Sequence, residues 1–134
     1  MRSIGCIAAA LLTATCAFAA ECSTVTRVEA YATSGTPPEN AVCSTYLTTG
    51  AKTGVSCQWP FPLRDPAAKE LAARFWQEIT TCRAGTALGP DAQVNHPDSY
   101  DLREWSGPLG IHALSVKDKG GLSQTFVFFR HEPK

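Results

Sequence analysis

The residues best suited to chemistry lie in one short stretch of the C-terminal half. His96, Asp98, Tyr100 and Asp101 fall within the segment Asn-His-Pro-Asp-Ser-Tyr-Asp. An imidazole, two carboxylates and a phenol can bind a polar ligand or a cation, and carboxylates of this kind hydrolyse glycosidic bonds when suitably spaced. The alternative is structural, because Pro and Asp favour a turn before a strand. These four residues are the candidate binding site, with a simple turn as the other interpretation.

Thiol, metal and nucleotide chemistry find no support in the spacing of the remaining residues. No Cys-x-x-Cys occurs, and that adjacency is what lowers a thiol pKa for redox work. The cysteines also lack the spacing of a zinc site. The three histidines, at positions 96, 112 and 131, show neither His-x-His nor helical i, i+4 spacing. We therefore expect no metal, no cofactor and no catalytic residue that the sequence can identify.

The first nineteen residues have the composition of a secretory signal peptide. Met1 and Arg2 precede an apolar run from Ile4 to Phe18, and Ala17-Phe18-Ala19 has the small-x-small pattern of a cleavage site. This predicts a leader over 1–19, a single domain over 20–134, and a periplasmic or secreted protein. An oxidising compartment predicts two disulfides among the four cysteines that follow: Cys22, Cys43, Cys57 and Cys82.

The charge pattern excludes two classes of partner. Twelve basic and twelve acidic residues give a formal net charge of zero, and no block of like charge occurs. Nucleic acids and anionic lipid surfaces require a concentrated basic face. After the leader, no apolar run approaches the roughly 20 residues that span a bilayer. We expect neither nucleic-acid binding nor membrane insertion, and another periplasmic protein is the kind of partner that remains.

The clearest local pattern is a β-hairpin formed by 41–49 and 53–59. A turn centred on Gly50 places Cys43 opposite Cys57, Thr45 opposite Val55 and Leu47 opposite Thr53. One face then carries the apolar members of both strands, and a slip of one residue would destroy this sorting. The following Pro60-Phe61-Pro62 predicts an extended link, because proline cannot continue a central strand.

A long helix follows the hairpin. Asp65-Pro66 is an N-cap acid followed by proline at the first helical position. The apolar stripe then runs with helical spacing: Ala68, Leu71, Phe75, Ile79 and Cys82. Arg83 suits the C-terminal dipole, and Gly85 predicts a left-handed stop. Upstream, Val25 to Ala32 fits both a helix by spacing and a strand by composition.

The C-terminal half predicts strands over 99–104, 111–117 and 122–130, the last two joined by Asp-Lys-Gly-Gly. The final strand is apolar on both faces, as in a central strand that is covered on both sides. The helix covers one face, and the N-terminal segment or a second subunit in a homodimer covers the other. The predicted fold is α+β: an antiparallel sheet of four to five strands, one long helix on one face, and two disulfides.

The hairpin register also predicts the pairing of the cysteines. Cys43 lies directly opposite Cys57 at the open end of the hairpin, where the helix begins. A helix rising about 1.5 Å per residue carries Cys82 some 20 Å away from that end. Disulfide Cα atoms lie within about 7 Å of each other, so Cys82 pairs with Cys22. A helix running in the other direction would instead bring Cys82 to Cys57.

Two parts of the chain resemble a group of small exported bacterial proteins of unassigned function. They are Cys-Gln-Trp-Pro-Phe at 57–61 with the helix ending at Cys82, and the 95–101 segment with Ser-Val-Lys-Asp-Lys-Gly at 115–120. The resemblance covers most of the chain after the leader. It implies a bacterial and hence periplasmic protein.

These patterns lead to two hypotheses of function. The first is a soluble periplasmic binding or accessory protein without catalytic apparatus, an inhibitor or immunity-type module being one form of it. The alternative is a small envelope hydrolase that acts on cell-wall or polysaccharide material through His96, Asp98 and Asp101. The two hypotheses can be distinguished by replacing Asp98, because only the hydrolase hypothesis predicts that this abolishes turnover.

Overall fold

A computed structural model describes residues 22–89 and 100–134 of the 134-residue chain. The predicted leader over 1–19 lies outside these described residues, as do His96 and Asp98. The order of elements is one helix, a hairpin, a second helix and four further strands. The two helices are α1 (Ser23–Ser34) and α2 (Pro66–Cys82). The strands are β1 (Val42–Leu47), β2 (Thr53–Pro62), β3 (Thr86–Ala87), β4 (Tyr100–Gly107), β5 (Gly110–Lys119) and β6 (Gln124–Glu132).

All six strands form one antiparallel sheet in the order β1-β2-β6-β5-β4-β3. The α+β class and the antiparallel sheet are confirmed. The expected number of elements was too small, because the described residues hold six strands and two helices. The sixth strand, β3, has only two residues, too few to show a periodic pattern in sequence. The C-terminal β3-β4-β5-β6 meander returns to place β6 beside β2, so hairpin and meander form one sheet.

The hairpin has the predicted register. Cys43 pairs with Cys57, Thr45 with Val55 and Leu47 with Thr53. Its apolar face is only partly buried, since Leu47 remains 76% exposed while Val55 and Cys57 are in the core. Leu47 lies at the end of an outer strand, where its side chain is not packed into the core.

The expectation that Pro60 and Pro62 end the strand was wrong, because β2 pairs with β6 as far as Pro62 opposite Gln124. The two prolines are tolerated because their backbone nitrogens face the β1 side of the strand. Thr48 N donates to Lys52 O (2.8 Å) at the hairpin turn, so the even-numbered residues of β2 are bonded to β1. The pairing with β1 ends at Val42 opposite Gln58, and beyond it the proline nitrogens face no strand. No ladder hydrogen bond is lost.

This arrangement predicts that substitutions at two even-numbered residues of β2 have different effects on stability. Pro60→Ala should change the free energy of unfolding by less than about 1 kcal/mol, because no partner faces that nitrogen. Ser56→Pro removes a donor to β1 and should cost about 1 to 3 kcal/mol. Urea unfolding followed by circular dichroism measures both. Equal losses would contradict the assigned direction of the β2 hydrogen bonds.

Helix α2 begins as predicted and ends differently. Asp65 is the N-cap, and its Oδ1 accepts a hydrogen bond from Ala67 N (2.9 Å), with Pro66 in the first turn. The left-handed stop expected at Gly85 is absent, since Arg83 follows the helix in an extended conformation. Arg83 Nη1 donates to the Cys82 carbonyl (2.8 Å), so the cationic side chain itself satisfies a helix-terminal carbonyl.

The ambiguous N-terminal segment is a helix, and it packs on the same face of the sheet as α2. Val25 and Val28 of α1 are completely buried in the core that α2 shares with the sheet. Of the two alternatives for the opposite face, cover by α1 is therefore excluded, and cover by a second subunit stays a prediction. No described helix or strand covers that face, where Lys119 Nζ lies 5.5 Å from the Phe126 ring. Gly35 ends α1 with φ of 66°, a conformation that glycine adopts without strain.

Both predicted disulfides are present. Cys22 is joined to Cys82 and Cys43 to Cys57, with Cα–Cα distances of 5.8 and 4.0 Å. The first ties the start of α1 to the end of α2, and the second links the two strands of the hairpin. Within the described residues, no helix has the length and apolarity to cross a membrane.

Candidate functional site

Of the four residues that the sequence singled out, two lie within the described part of the structure. His96 and Asp98 are outside the described ranges, and Tyr100 opens β4 with its backbone paired to Lys117. Asp101 is exposed and lines a cleft of about 180 Å³ together with Lys69 and Arg103. The hydrolase hypothesis stays a prediction, since His96 and Asp98 lie outside the described ranges. The Asp98→Ala turnover test applies to it unchanged.

The structure brings together four ionisable residues that are distant in sequence. His112 and His131 are direct cross-strand partners on β5 and β6, and their rings stack with centroids 4.6 Å apart. Glu29 comes from α1, and Arg83 follows the last residue of α2. We call these residues the buried polar cluster. They lie where the joined ends of the two helices meet the sheet.

Glu29 is the centre of the buried polar cluster. Its Oε2 accepts from His112 Nε2 (2.8 Å) and from Arg83 Nε (3.0 Å), and the guanidinium also reaches Oε1. Burial alone raises the pKa of Glu29, but the hydrogen bonds from His112 and Arg83 and their positive charge lower it to about 2. Glu29 is thus an ionised carboxylate with both oxygens occupied.

The second histidine is held in its neutral form. Burial lowers the pKa of His131, although its Nε2 donates to the Leu109 carbonyl (2.9 Å), which favours the charged form. The nearby positive charge of Arg83 acts in the same direction as burial. His131 is a buried residue of the strand β6.

Three members of the cluster have the chemistry of metal ligands. The ligand atoms of Glu29, His112 and His131 all lie within 4.8 Å of one another. The Glu29 carboxylate and the Nε2 atom of each histidine are already hydrogen-bonded, however, and Arg83 places its charge directly on Glu29. A metal ion would have to displace this guanidinium from the carboxylate. The arrangement fits an ion-paired structural network better than a metal centre.

The same geometry argues against general-base catalysis at His112. Its Nε2 is hydrogen-bonded to the Glu29 carboxylate, and its buried Nδ1 has no partner in the described residues. The ring is only 2% exposed, although a cleft of about 320 Å³ beside Pro108 and Leu109 reaches its edge. A general base must come within hydrogen-bond reach of substrate. The described structure gives His112 an orienting partner without such access.

Sequence reasoning missed Glu29 and Arg83 as partners because they are separated by 54 residues. One signal was present, since Glu29 lies four residues after Val25 and therefore on the buried face of a helix. It becomes informative only once this segment is assigned as a helix. The register of His112 opposite His131 depends on how the meander pairs, which periodicity does not report.

A second feature is an open groove between the two helices, with a volume of about 510 Å³. We call it the interhelical groove. Its floor is aromatic, with the rings of Trp59 and Phe75 4.7 Å apart and mostly buried. Trp59 Nε1 donates to the Glu39 carbonyl (3.0 Å), which holds the loop before β1 against this floor. The lining residues are Ser23, Thr24, Arg27, Pro38, Glu39, Asn40, Trp59, Pro60, Phe61, Leu71, Arg74 and Phe75.

The walls of the interhelical groove carry two arginines, Arg27 of α1 and Arg74 of α2. Both are exposed, and neither pairs with a carboxylate among the described residues. Of the described residues that line the groove, Glu39 alone is acidic. The groove therefore combines two guanidinium groups with a partly aromatic floor, which suits a ligand bearing both a negative charge and an apolar or ring-shaped part.

The groove walls are fixed to one another by three long-range links. One is the Cys22–Cys82 disulfide, and another is the buried polar cluster. In the third, Glu78 of α2 accepts a hydrogen bond from Val25 N (2.8 Å) at the start of α1. Cys22 makes no capping bond of its own, so Glu78 caps α1 from the neighbouring helix. The two helices are held as one rigid wall around the groove.

No family model, no curated protein and no solved structure matches this chain.

Proposed function

We propose that this protein is a non-enzymatic binding module of the bacterial periplasm or secreted space, and that the interhelical groove is its ligand site. The observation that supports the proposal is that Arg27 and Arg74, which pair with no carboxylate in the described part of the chain, line the same groove as Trp59 and Phe75. The two disulfides suit an oxidising compartment. When the bound group belongs to another protein, the binding module acts as an accessory, inhibitor or immunity-type protein.

The ligand class follows from the groove's donors. A guanidinium presents its N–H groups in a planar fork that matches a carboxylate or a phosphate, and it also stacks on flat rings. A volume of about 510 Å³ accommodates a small molecule or a few side chains. The rigid walls keep the ordering cost of binding low, since the helices are already linked before ligand arrives.

The proposal predicts that small aromatic carboxylates bind and that both arginines are required. Phenylacetate and phenyl phosphate should shift the amide and indole N–H signals of groove residues in ¹H–¹⁵N NMR spectra of the full chain, whereas phenethylamine should not. Arg27→Gln and Arg74→Gln should each weaken phenylacetate binding about tenfold, because a charge-assisted hydrogen bond contributes about 1.5 to 3 kcal/mol.

Arg103→Gln is the matched control. Arg103 is also an exposed arginine, and its guanidinium lies outside the groove, 6.0 Å from the Trp76 ring. Its replacement should leave phenylacetate affinity within about twofold. Chemical-shift changes that are absent from the groove, or that survive the loss of both groove arginines, would contradict the proposal.

A further inference from the structure

We infer that the outer edge of β1 is a dimerisation surface that pairs with β1 of a second copy of this chain. The inference concerns a different surface from the interhelical groove and does not depend on it. Strand β1 is at one end of the sheet and pairs only with β2 in the described structure. An unpaired strand edge presents backbone N–H and C=O groups that can bond to another chain.

The hairpin geometry shows which backbone groups face outward. The hydrogen bond from Thr48 N to Lys52 O (2.8 Å) marks a bonded pair, and bonded and non-bonded pairs alternate along an antiparallel ladder. Ser44 and Tyr46 are therefore bonded to β2, whereas Cys43, Thr45 and Leu47 direct their backbone groups away from it. In agreement, Tyr31 Oη approaches the Cys43 carbonyl from outside the ladder and donates to it (3.0 Å). A carbonyl oxygen accepts a second hydrogen bond, so Cys43 can still pair.

The residues of β1 themselves lack the features by which proteins prevent such pairing. The strand reads Val-Cys-Ser-Thr-Tyr-Leu, with no lysine, no proline and no charge. Its two terminal side chains are apolar and exposed, Val42 by 63% and Leu47 by 76%. Pairing of β1 with β1 about a two-fold axis uses the same edge of both copies. It therefore closes as a dimer and does not continue into a filament.

The strand is complementary to itself in one register. A two-fold axis through Thr45 places Thr45 opposite Thr45 of the second copy and Cys43 opposite Leu47 of the second copy. Each of the three outward-facing residues of one copy is then opposite an outward-facing residue of the other copy. The two strands therefore form three hydrogen-bonded pairs. Each exposed Leu47 side chain lies beside the other copy's Cys43–Cys57 disulfide, which is on the same face of the sheet.

Pairing of the strand with a second copy brings no like charges together, because the strand has none.

The first test is the oligomeric state of the full chain. One paired strand is a small interface, so sedimentation equilibrium should cover about 10 µM to 1 mM. We expect a concentration-dependent monomer–dimer equilibrium. Thr45→Pro should raise the dimer dissociation constant at least about tenfold, because it removes the outward N–H on the axis while leaving the bonds to β2. Thr45→Val keeps that N–H and should stay within about twofold.

Circular dichroism checks that Thr45→Pro is folded. If it is not, Thr45→Glu replaces it, since it places two like charges opposite each other on the axis and should raise the dissociation constant by a similar factor. A wild-type chain that remains monomeric at 1 mM would overturn the inference and would leave the edge to a strand from a different protein. A dimer that Thr45→Pro and Thr45→Glu do not weaken would also overturn it.

A cross-linking experiment tests the register. In a bonded antiparallel pair the Cα atoms lie about 5.5 Å apart, within the span of a disulfide. Thr45→Cys should therefore give a covalent dimer on oxidation. Ser44→Cys, the matched control, should not, because the two copies of that position are diagonal neighbours beyond disulfide reach. Peptide mapping under non-reducing conditions identifies the linkage. Equal cross-linking by the two variants would overturn the proposed register.

Discussion

Replacing both Cys22 and Cys82 by alanine should lower the free energy of unfolding by about 4 kcal/mol. The two cysteines are 60 residues apart, and the chain-entropy model relates the stabilisation to the length of the closed loop. The cysteines of the hairpin disulfide, Cys43 and Cys57, are 14 residues apart. The matching double alanine variant should therefore lose about 3 kcal/mol of unfolding free energy. Urea unfolding at neutral pH compares the two variants with the wild type.

The two disulfides should also differ in their effect on ligand binding in the interhelical groove. Cys22–Cys82 joins the helices that form the interhelical groove, whereas Cys43–Cys57 lies within one hairpin. We therefore expect the first double variant, measured where it is still folded, to bind phenylacetate more weakly and the second to bind it unchanged. A larger stability loss from the hairpin disulfide would contradict the assignment of Cys22–Cys82 as the main cross-link.

Glu29→Gln should destabilise the protein by about 2 to 3 kcal/mol at pH 7, and this difference should disappear in acid. The pKa of Glu29 is lowered from 4.5 to about 2 in the folded state, and each unit corresponds to about 1.4 kcal/mol. The side chain is 16% exposed, so solvent screening reduces the full value somewhat. The loss arises because Arg83 and His112 keep their buried positions without the carboxylate charge.

The direction of the pH dependence follows from the sign of the shift. A carboxyl group with a lowered folded pKa stabilises the protein above its unfolded pKa, and that contribution is lost as the pH falls from about 5 to about 2. The lowered pKa of His131 adds a loss that begins as the pH falls through 6.5. Urea unfolding at pH 7, 4 and 2.5 should show the wild type approaching the Glu29→Gln variant.

Glu78→Gln provides a matched control on the neighbouring helix. Burial raises the pKa of Glu78, despite the hydrogen bonds from Val25 N and Thr24 N that lower it. Its charge is therefore unfavourable in the folded state at pH 7, while a glutamine oxygen still accepts from Val25 N. This variant should be as stable as the wild type or more so. A Glu29→Gln difference that is the same at all three pH values would refute the ion-pair explanation.

The parts of the fold that were predicted correctly depend on short-range patterns. The start of α2 at Asp65-Pro66 follows from capping chemistry, and the hairpin register follows from the alternation of apolar residues around Gly50. The disulfide pairing was predicted from these two elements together with the assumption that the helix runs from the open end of the hairpin toward its turn, since the opposite direction would bring Cys82 to Cys57. Each of these inferences uses residues that are close in sequence or a known rise per residue.

The errors share a different cause. The sequence indicated that β6 is apolar on both faces, but it does not reveal that both helices pack on one of them. Pro60 and Pro62 were expected to end β2, and they are tolerated because β1 stops two residues earlier. In both cases the outcome depends on which neighbour lies beside a strand, and hydrophobic periodicity contains no information about that neighbour.

By itself, then, the sequence determined the class of fold, the hairpin, the long helix and the two disulfides, since local backbone preferences and chain dimensions suffice for them. Only the tertiary structure decided where the polar residues meet. It joined Glu29 to Arg83 and stacked His112 on His131, and it placed Arg27 and Arg74 on either side of one groove. These contacts connect residues about 20 to 80 positions apart, and their energies arise from shared burial that exists only after the chain has folded.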